Sequence, residues 1–476
     1  MQSRYTWLLA LALLTGVRLL VAAWTPLSPD EAYYWVWSRA LQPGYLDHPP
    51  MVALWISAGT WFTGDTALGV RLLGPFAAAA GSLLLARAAE DLVPGRRLGV
   101  PAAALLNATL LLGAGAVTMT PDTPLLLFWT AALAALARLH RTGNGAWWLA
   151  IGLAAGLALA SKYTAALLGV GIVLWLLTVP DQRQWFGALS LWTGGALAAA
   201  VFAPVVLWNA GNGWAGFAKQ GGRVGDWDPS RAVRNMGELI AGQLGLATPL
   251  VFVLLVAGTV LAVRHAWRHD PAWTLLAALI VPGALVFVQH AVGDRVQANW
   301  PAIIYPAAAV AGAATGWRLW RPAAVLGLLL TGAVYLQSAV APFALPRRLD
   351  PTLIRLGGWD GVVRDLGAFR LAAGADFAAS ENYGTAALLA FGMPSVPVLG
   401  AEPRWGFVRL RSGTGAVGVL LATERRSEPP DPAVWATADR IGRIIRARNG
   451  VEAEAYQVYR VTLQPGAATV LLPGGR

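Results

Sequence analysis

Long apolar runs separated by short polar segments make up most of the chain. Runs close to the roughly 17 to 25 residues that cross a bilayer lie at 7–25, 67–89, 99–117, 122–139, 146–161, 164–179, 187–208, 246–264, 272–290, 300–317 and 322–340. The pattern predicts a polytopic α-helical membrane protein with about 11 transmembrane helices. Residues 51–63 are apolar but too short for another span, and we expect them to form interfacial helices with residues 30–41 on the outer surface.

The pattern changes after Val340. Residues 342–476 contain more Pro, Gly and acidic residues, β-like runs at Val417 to Ala422 and Tyr456 to Leu463, and a helix-like stretch at Pro432 to Asn449. This sequence pattern predicts a soluble α/β domain over 342–476. It follows a transmembrane domain over 1–341 with outer loops at 25–66 and 209–245. The second loop is rich in Gly and Trp, which suits either a lid over a substrate or a plain connection.

Composition agrees with the membrane assignment. Hydrophobic residues make up 56% of the 476 residues and charged residues only 13%. The net charge of +11 does not indicate nucleic-acid binding, because the basic residues are scattered in short loops, as expected for topology signals and anionic lipid contact. The absence of cysteine excludes a disulfide framework and a thiolate metal site.

Loop charges predict the orientation. With the N-terminus inside and an uncleaved first span, the inner loops carry arginines such as Arg96, Arg138 and Arg264, as the positive-inside rule requires. The C-terminal domain is then outside. Most acidic residues of the membrane part fall on the outer face, namely Asp30, Glu31, Asp47, Asp65, Asp122, Asp226, Asp228, Glu238 and Asp294.

The first outer loop has the densest candidate chemistry. Asp30 and Glu31 are adjacent, and Asp47 and His48 precede a Pro-Pro pair. Carboxylates at a membrane edge can deprotonate a hydroxyl, bind a metal or hold a cationic sugar. Ser28 and Pro29 also suit a helix N-terminus with acidic residues in its first turn, and both interpretations can hold together.

Three weaker motifs lie at other span ends. Asp122 follows Thr120-Pro121 in a short outer turn, where cap chemistry is an ordinary alternative. Lys162, one of two lysines in the chain, can hold a lipid phosphate or extend from a helix end to water. Residues 294–301 offer a guanidinium, amides and an indole for sugar and phosphate, or form an aromatic-belt turn.

Four stretches carry a family resemblance: DEAYYWVWSRALQPGYLDHPPMVALWI, TPDTPLLLFW, SKYTAALL and QANWP. Together they resemble the bacterial C-type (GT-C) membrane glycosyltransferases, in the glycosyltransferase family 39 or protein O-mannosyltransferase-like group that includes the lipid A aminoarabinose transferases. The resemblance covers about residues 5 to 345. Aminoarabinose transferases typically have lysine before the proline pair, where this chain has His48, and the difference argues against aminoarabinose as the sugar.

The resemblance implies a sugar transferase of the bacterial inner membrane that acts on the periplasmic side. It would move a sugar from a polyprenyl-phosphate donor to a lipid, glycan or protein acceptor, with inversion. Asp30 would be the catalytic base, with Glu31 beside it and Asp122 as the second acidic position. The residues expected to bind donor phosphate or sugar are Tyr45, Asp47, His48, Lys162, Tyr163, Arg223, Arg295, Gln297 and Asn299.

This scheme requires no cofactor, although the Asp, Glu and His cluster leaves a divalent metal possible. The alternative function is a transporter or flippase of lipid-linked substrates. A secondary transporter should hold its ionisable site near the bilayer midplane. Here the acids cluster at span ends, and only Arg18 falls well within a predicted span.

Overall fold

A computed structural model of the chain describes residues 2–221, 229–425 and 429–474. They form two compact units. The first comprises Met1–Arg18, Pro43–Val52 and Gly74–Gly332, and the second comprises Leu19–Gln42, Ala53–Leu73 and Ala333–Arg476. The domain boundary expected between residues 341 and 342 stays a prediction.

Helices dominate up to residue 339. They are α1 (Gln2–Trp24), α2 (Pro29–Arg39), α3 (Met51–Thr63), α4 (Ala67–Arg71), α5 (Leu73–Leu92), α6 (Gly99–Asn107), α7 (Leu110–Val117), α8 (Asp122–Thr142), α9 (Trp147–Leu159), α10 (Ala166–Thr178), α11 (Leu189–Gly211), α12 (Ala215–Gly221), α13 (Pro229–Ala247), α14 (Pro249–Ala266), α15 (Pro271–Gly293), α16 (Tyr305–Ala313) and α17 (Trp320–Ala339). Short 3-10 helices lie at Tyr163–Ala165, Pro180–Gly187 and Trp300–Ile304.

A helix occupies each predicted span position. Within the described residues, 7 helices are long and apolar enough to cross a membrane, or up to 9 when two bent pairs are counted as one span each. The bends are 69° between α6 and α7 and 113° between Tyr163–Thr178 and Pro180–Gly187. The polytopic helical fold is therefore confirmed, and the count of eleven stays a prediction. The predicted helices over residues 30–41 and 51–63 are present as α2 and α3.

The sequence placed an outer loop at 209–245 and predicted no helix within it. The described part is mostly helical, with α12 and α13 on either side of residues 222–228, which lie outside the described residues. In α13, Asn235 and Leu239 are buried one turn apart, the spacing of a helix packed on one side. The Gly- and Trp-rich stretches at 211–214 and 219–228 had favoured a loop assignment.

The C-terminal part contains a mixed sheet and three helices, which confirms the predicted α/β domain. Its elements are α18 (Pro351–Arg355), α19 (Trp359–Ala372), β1 (Phe377–Ser380), α20 (Tyr383–Gly392), β2 (Val398–Gly400), β3 (Arg411–Ser412), β4 (Gly418–Thr423), β5 (Trp435–Arg448), β6 (Val451–Leu463) and β7 (Val470–Leu472). The strand order is β3-β7-β2-β1-β4-β6-β5. The central strand β1 pairs in parallel with β2 and β4, and the other pairings are antiparallel. Phe377, Leu399 and Leu420 lie in its core.

The predicted helix over Pro432 to Asn449 is wrong, because this stretch is strand β5. Its pairing with β6 has three register irregularities, so apolar residues do not alternate strictly and Ile441, Ile444 and Ile445 imitate helical spacing. The missed signal was Asn449-Gly450. Both residues have positive φ, 52° and 75°, as in the tight turns that join hairpin strands.

A buried ion pair fixes the chain where α2 begins. Glu31 Oε1 lies 2.5 Å from Arg71 Nε, and Glu31 Oε2 accepts from Arg71 Nη2 at 2.7 Å. Both side chains are fully buried. The guanidinium also donates to the carbonyls of Ala22, Thr25 and Pro26. The pair therefore ties α4 to the turn between α1 and α2.

Asp350 fastens the C-terminal sheet to the end of α17. Its buried carboxylate accepts from Gln337 Nε2 at 2.8 Å and Arg448 Nη2 at 2.8 Å, and it caps α18 through the amides of Thr352 and Leu353. Burial acts to raise the pKa of Asp350. The hydrogen bonds from Thr352, Gln337 and Leu353, together with the Arg448 charge, outweigh it, and the pKa is lowered.

The first prediction concerns Glu31. Glu31→Gln leaves Arg71 buried without its counter-charge, so we expect a loss of about 3 kcal/mol of folding stability. Thermal unfolding of the full chain in detergent measures it. The control is Glu238→Gln, which removes a half-exposed partner of Arg295 and should cost less than about 1 kcal/mol. Equal unfolding midpoints for the two variants would contradict the structural role of Glu31.

The second prediction concerns Asp350. Since its folded-state pKa lies below the ordinary value of 3.8, its charge stabilises the fold above that pH, and this stabilisation is lost as pH falls through the folded-state pKa. Asp350→Asn should lower the free energy of unfolding at pH 7 by about 1 to 3 kcal/mol. The difference in this free energy between variant and wild type should become smaller below pH 3.8. Asp365→Asn, at a half-exposed site, is the control. A stability difference between Asp350→Asn and wild type that does not change with pH would refute the stabilising role of the Asp350 charge.

Candidate active site

The N-terminus of α2 is a capping box, as the cap interpretation expected. Ser28 Oγ accepts from the Glu31 amide at 3.2 Å, while Glu31 Oε2 accepts from the Ser28 amide at 3.0 Å. Glu31 thus closes the cap and also pairs with Arg71. Fully buried in this role, it is not placed to accept a proton from a substrate hydroxyl, although the sequence suggested it for the catalytic set.

Asp30 is in the first turn of α2 and has a different environment. It is half-buried, and its Oδ1 accepts from the hydroxyl of Tyr383 at 2.9 Å. The Tyr383 ring packs edge-on against Tyr33, with centroids 4.6 Å apart, and the Arg404 guanidinium lies 3.9 Å from the Tyr383 centroid. Sequence reasoning missed Tyr383 and Arg404. No local signal marks them, since Tyr383 is 353 positions from Asp30.

Asp122 is the centre of a second cluster, in the first compact unit. Lys162 Nζ lies 2.7 Å from Asp122 Oδ1, and Asn299 Nδ2 donates to Asp122 Oδ2 at 2.6 Å. The side chains of Lys162 and Asp122 are only 9% and 15% exposed. Three residues predicted from three separate motifs therefore meet. Asp122 starts α8, Lys162 follows α9, and Asn299 precedes the 3-10 helix at 300–304.

Lys162 also lines a cavity of ≈ 460 Å³. Its other polar lining groups include His48, Tyr163 and Gln220. The rest of the lining is mainly apolar, from Leu159, Thr164, Ala166, Leu167, Phe202, Phe217, Gly221 and Val286. The cavity thus combines an ammonium group with a surface suited to hydrocarbon.

The segment from Tyr45 to His48 belongs to the first compact unit and is held by contacts with α12. Lys219 Nζ lies 3.6 Å from Asp47 Oδ1, and Gln220 Nε2 donates to the Asp47 carbonyl at 2.7 Å. Tyr45 is fully buried, and its amide donates to the His48 carbonyl at 3.2 Å. Lys219 and Gln220, on α12, were missed as site residues because their segment was taken for a loop.

Tyr163 is placed by contacts with the end of α11 and with α12. Its hydroxyl accepts from Asn209 Nδ2 at 3.3 Å, and its ring lies edge-on to Phe217 at 5.1 Å. Asn209 Oδ1 in turn accepts from the Phe217 amide at 3.1 Å. The buried Asn209 therefore fixes both rings at the cavity, a role that the sequence did not indicate.

The remaining candidates are less tightly connected to this cluster. Arg295 pairs with Glu238 at 2.8 Å and is 69% exposed, and Gln297 is exposed. Arg223 lies outside the described residues, as do Asp226 and Asp228. Within the described ranges, no group of three or more His, Asp or Glu side chains is close enough to hold a metal ion.

Comparison with known proteins agrees with this architecture. The profile of the family "Dolichyl-phosphate-mannose-protein mannosyltransferase" matches residues 47–208. The lipid A galacturonosyltransferase RgtD of Rhizobium johnstonii is 28% identical over 360 residues, which are 74% of this chain and 75% of RgtD. Crystal structures of ArnT from Cupriavidus metallidurans, apo and bound to undecaprenyl phosphate, match 96% of this chain and 98% of theirs, with a TM-score of 0.59 and 16% identity.

The ArnT likeness confirms the predicted fold, and the sequence matches confirm the predicted enzyme class. They give no support to the transporter or flippase alternative. The protein is a multi-pass membrane glycosyltransferase with the GT-C fold, related to a lipid A galacturonosyltransferase.

Proposed function

We propose that the protein transfers a sugar from a polyprenyl-phosphate donor to a lipid acceptor on the periplasmic face of the bacterial inner membrane. The observation that carries this proposal is the Lys162–Asp122 pair beside a mainly apolar cavity. An ammonium group binds a phosphate as a point charge, and the apolar lining suits an isoprenoid chain. The ArnT structure with undecaprenyl phosphate supports this donor class, and RgtD supports lipid A as the acceptor.

The charges on α8 support the periplasmic location. Asp122 is in its first turn, whereas Arg138 and Arg141 near its other end contact the buried carboxylate of Asp91 at 3.1 and 2.8 Å. The helix has 21 residues, so its two ends are about 30 Å apart, the thickness of the hydrocarbon core. The positive-inside rule assigns the arginine end to the cytoplasm, and Asp122 to the opposite side.

Donor binding would add a phosphate to the partners of Lys162. The donor phosphodiester carries one negative charge, and departure of the sugar leaves a polyprenyl phosphate with a second one. Lys162 can stabilise that added charge, so its interaction strengthens as the leaving group forms. Asp122 and Asn299 then hold the lysine and the loop before Trp300 in place. His48 and Gln220 offer further hydrogen bonds in the cavity.

Asp30 is the proposed general base. It takes the proton of the acceptor hydroxyl as that oxygen attacks the anomeric carbon and the bond from that carbon to the phosphate oxygen breaks. One displacement inverts the anomeric configuration. We assign Glu31 to the support of α2 rather than to the reaction, because it is committed to Arg71 and the cap. A divalent metal remains compatible with the scheme and is not needed for any of its steps.

Lipid A is preferred over a glycan or protein acceptor. The mannosyltransferase profile, whose name specifies protein acceptors, covers only residues 47–208, whereas RgtD matches 74% of the chain. The first substrates to test are therefore undecaprenyl phosphate-linked galacturonic acid and lipid A.

The third prediction tests the base. Asp30→Asn should lower kcat by about 100-fold or more, because no base then takes the proton of the acceptor hydroxyl. Transfer of labelled sugar from the donor to lipid A by the purified protein measures it. Asp181→Asn removes an exposed carboxylate from the 3-10 helix at 180–187 and should retain wild-type turnover. Wild-type kcat in Asp30→Asn would overturn the proposed mechanism.

The fourth prediction tests the phosphate site. Lys162→Met should raise the KM for the donor about tenfold or more, since a charge-assisted contact is lost. It should also lower kcat, because that contact strengthens as the leaving group forms. Lys162→Arg should recover part of both losses. Arg321→Met, which removes an exposed charge above the Trp320 ring, is the control. An unchanged donor KM in Lys162→Met would exclude Lys162 from donor binding.

A further inference from the structure

The hydrogen bond between Asp30 and Tyr383 connects the proposed base to the C-terminal part of the chain. We infer that Tyr383 is a positioning residue that sets the orientation of the Asp30 carboxylate during sugar transfer. The inference rests on the proposed function of Asp30. It gives the C-terminal domain a direct part in the reaction, beyond any role in covering the membrane portion or binding the acceptor.

The backbone of Tyr383 is fixed on both sides. Asn382 caps α20 by accepting from the Thr385 amide at 3.0 Å, and the Tyr383 amide donates to Glu402 Oε2 at 2.8 Å. A Cβ at Gly384 would lie 2.6 Å from Pro29 Cβ. Only glycine therefore allows the first turn of α20 to approach the first turn of α2 this closely.

The phenol ring is fixed as well. Tyr33 packs edge-on against one part of the ring, and the Arg404 guanidinium lies over it at 3.9 Å. Arg404 in turn pairs with Glu402, which also receives the Tyr383 amide. One carboxylate thus orders both the backbone of Tyr383 and the cation above its ring. The hydroxyl is held in one direction before any substrate binds.

This arrangement gives the two carboxylate oxygens of Asp30 different roles. Oδ1 accepts from Tyr383, and within the described part of the chain Oδ2 has no hydrogen-bond partner. A carboxylate anchored through one oxygen has less rotational freedom, so the other oxygen can be presented to the acceptor hydroxyl in a fixed geometry. The phenol proton stays on Tyr383, and the acceptor proton goes to Oδ2.

A purely structural role makes different predictions. If the hydrogen bond only joins α2 to α20, its loss should lower stability and affect every kinetic constant through the fraction of folded protein. A positioning role acts on the proton-transfer step. It should therefore change kcat while the KM values for donor and acceptor and the unfolding midpoint stay constant.

The fifth prediction uses Tyr383→Phe, which retains the ring between Tyr33 and Arg404 and removes only the hydroxyl. In the full-length enzyme, with undecaprenyl phosphate-linked galacturonic acid and lipid A, we expect kcat to fall about 10- to 100-fold, with both KM values and the unfolding midpoint unchanged. The matched control is Tyr456→Phe. It removes another 2.9 Å phenol-to-carboxylate bond, to Glu454 within β6, and should leave kcat unchanged.

The outcomes separate this inference from the proposed function. An inactive Asp30→Asn beside a Tyr383→Phe enzyme with wild-type kcat overturns the positioning role and leaves Asp30 as the base. A fall in kcat matched by a lower unfolding midpoint also overturns it, in favour of a structural link. An equal loss of kcat in Tyr456→Phe would show a general effect of the sheet and overturn it too. Full activity in Asp30→Asn overturns the proposed function itself.

Discussion

A charged side chain shielded from water must be neutralised by a neighbour, and this requirement shapes both clusters of acidic residues. Glu31 and Arg71 meet it completely, since both side chains are fully buried and the guanidinium also satisfies three carbonyls. Asp122 and Lys162 meet it only in part, at 15% and 9% exposure beside a cavity. A closed pair of the first kind stabilises a fold, whereas a pair of the second kind, beside a cavity, can also contact a substrate.

Contact with a substrate would explain why a carboxylate lies next to Lys162, the lysine that is proposed to bind the donor phosphate. Before the donor binds, the Asp122 carboxylate neutralises the ammonium of Lys162, which would otherwise be an unpaired charge in surroundings of low polarity. A bound phosphodiester adds a negative charge, and bond cleavage adds another, so the lysine gains most from the state in which the sugar has left. Because Asp122 already neutralises Lys162 before the donor binds, Lys162 would interact more strongly with the departing phosphate than with the intact donor. That difference would accelerate transfer.

The sequence predicted the membrane fold and most of the Asp122 cluster for a physical reason. Charged and amide side chains are rare among apolar runs, so Asp122, Lys162 and Asn299 stood out at span ends even though they are far apart in the chain. It did not predict partners that depend on tertiary packing. Arg71 lies near the start of the predicted 67–89 span, 40 positions from Glu31, and nothing in the sequence connects the two residues. Tyr383 lies at an ordinary helix start. The β5 strand was missed because its bulges break the alternation that identifies a strand.

The sequence placed both Asp30 and Glu31 in the catalytic set, and helix geometry explains why the two side chains have different surroundings. Successive residues of an α-helix project about 100° apart, so two neighbours cannot both face the same group. Glu31 turns back to its own cap and to Arg71, and this commitment holds the first turn of α2 rigid. Asp30 then points to Tyr383. The acidic pair therefore combines one carboxylate that fixes the helix with a second, Asp30, that is the proposed base.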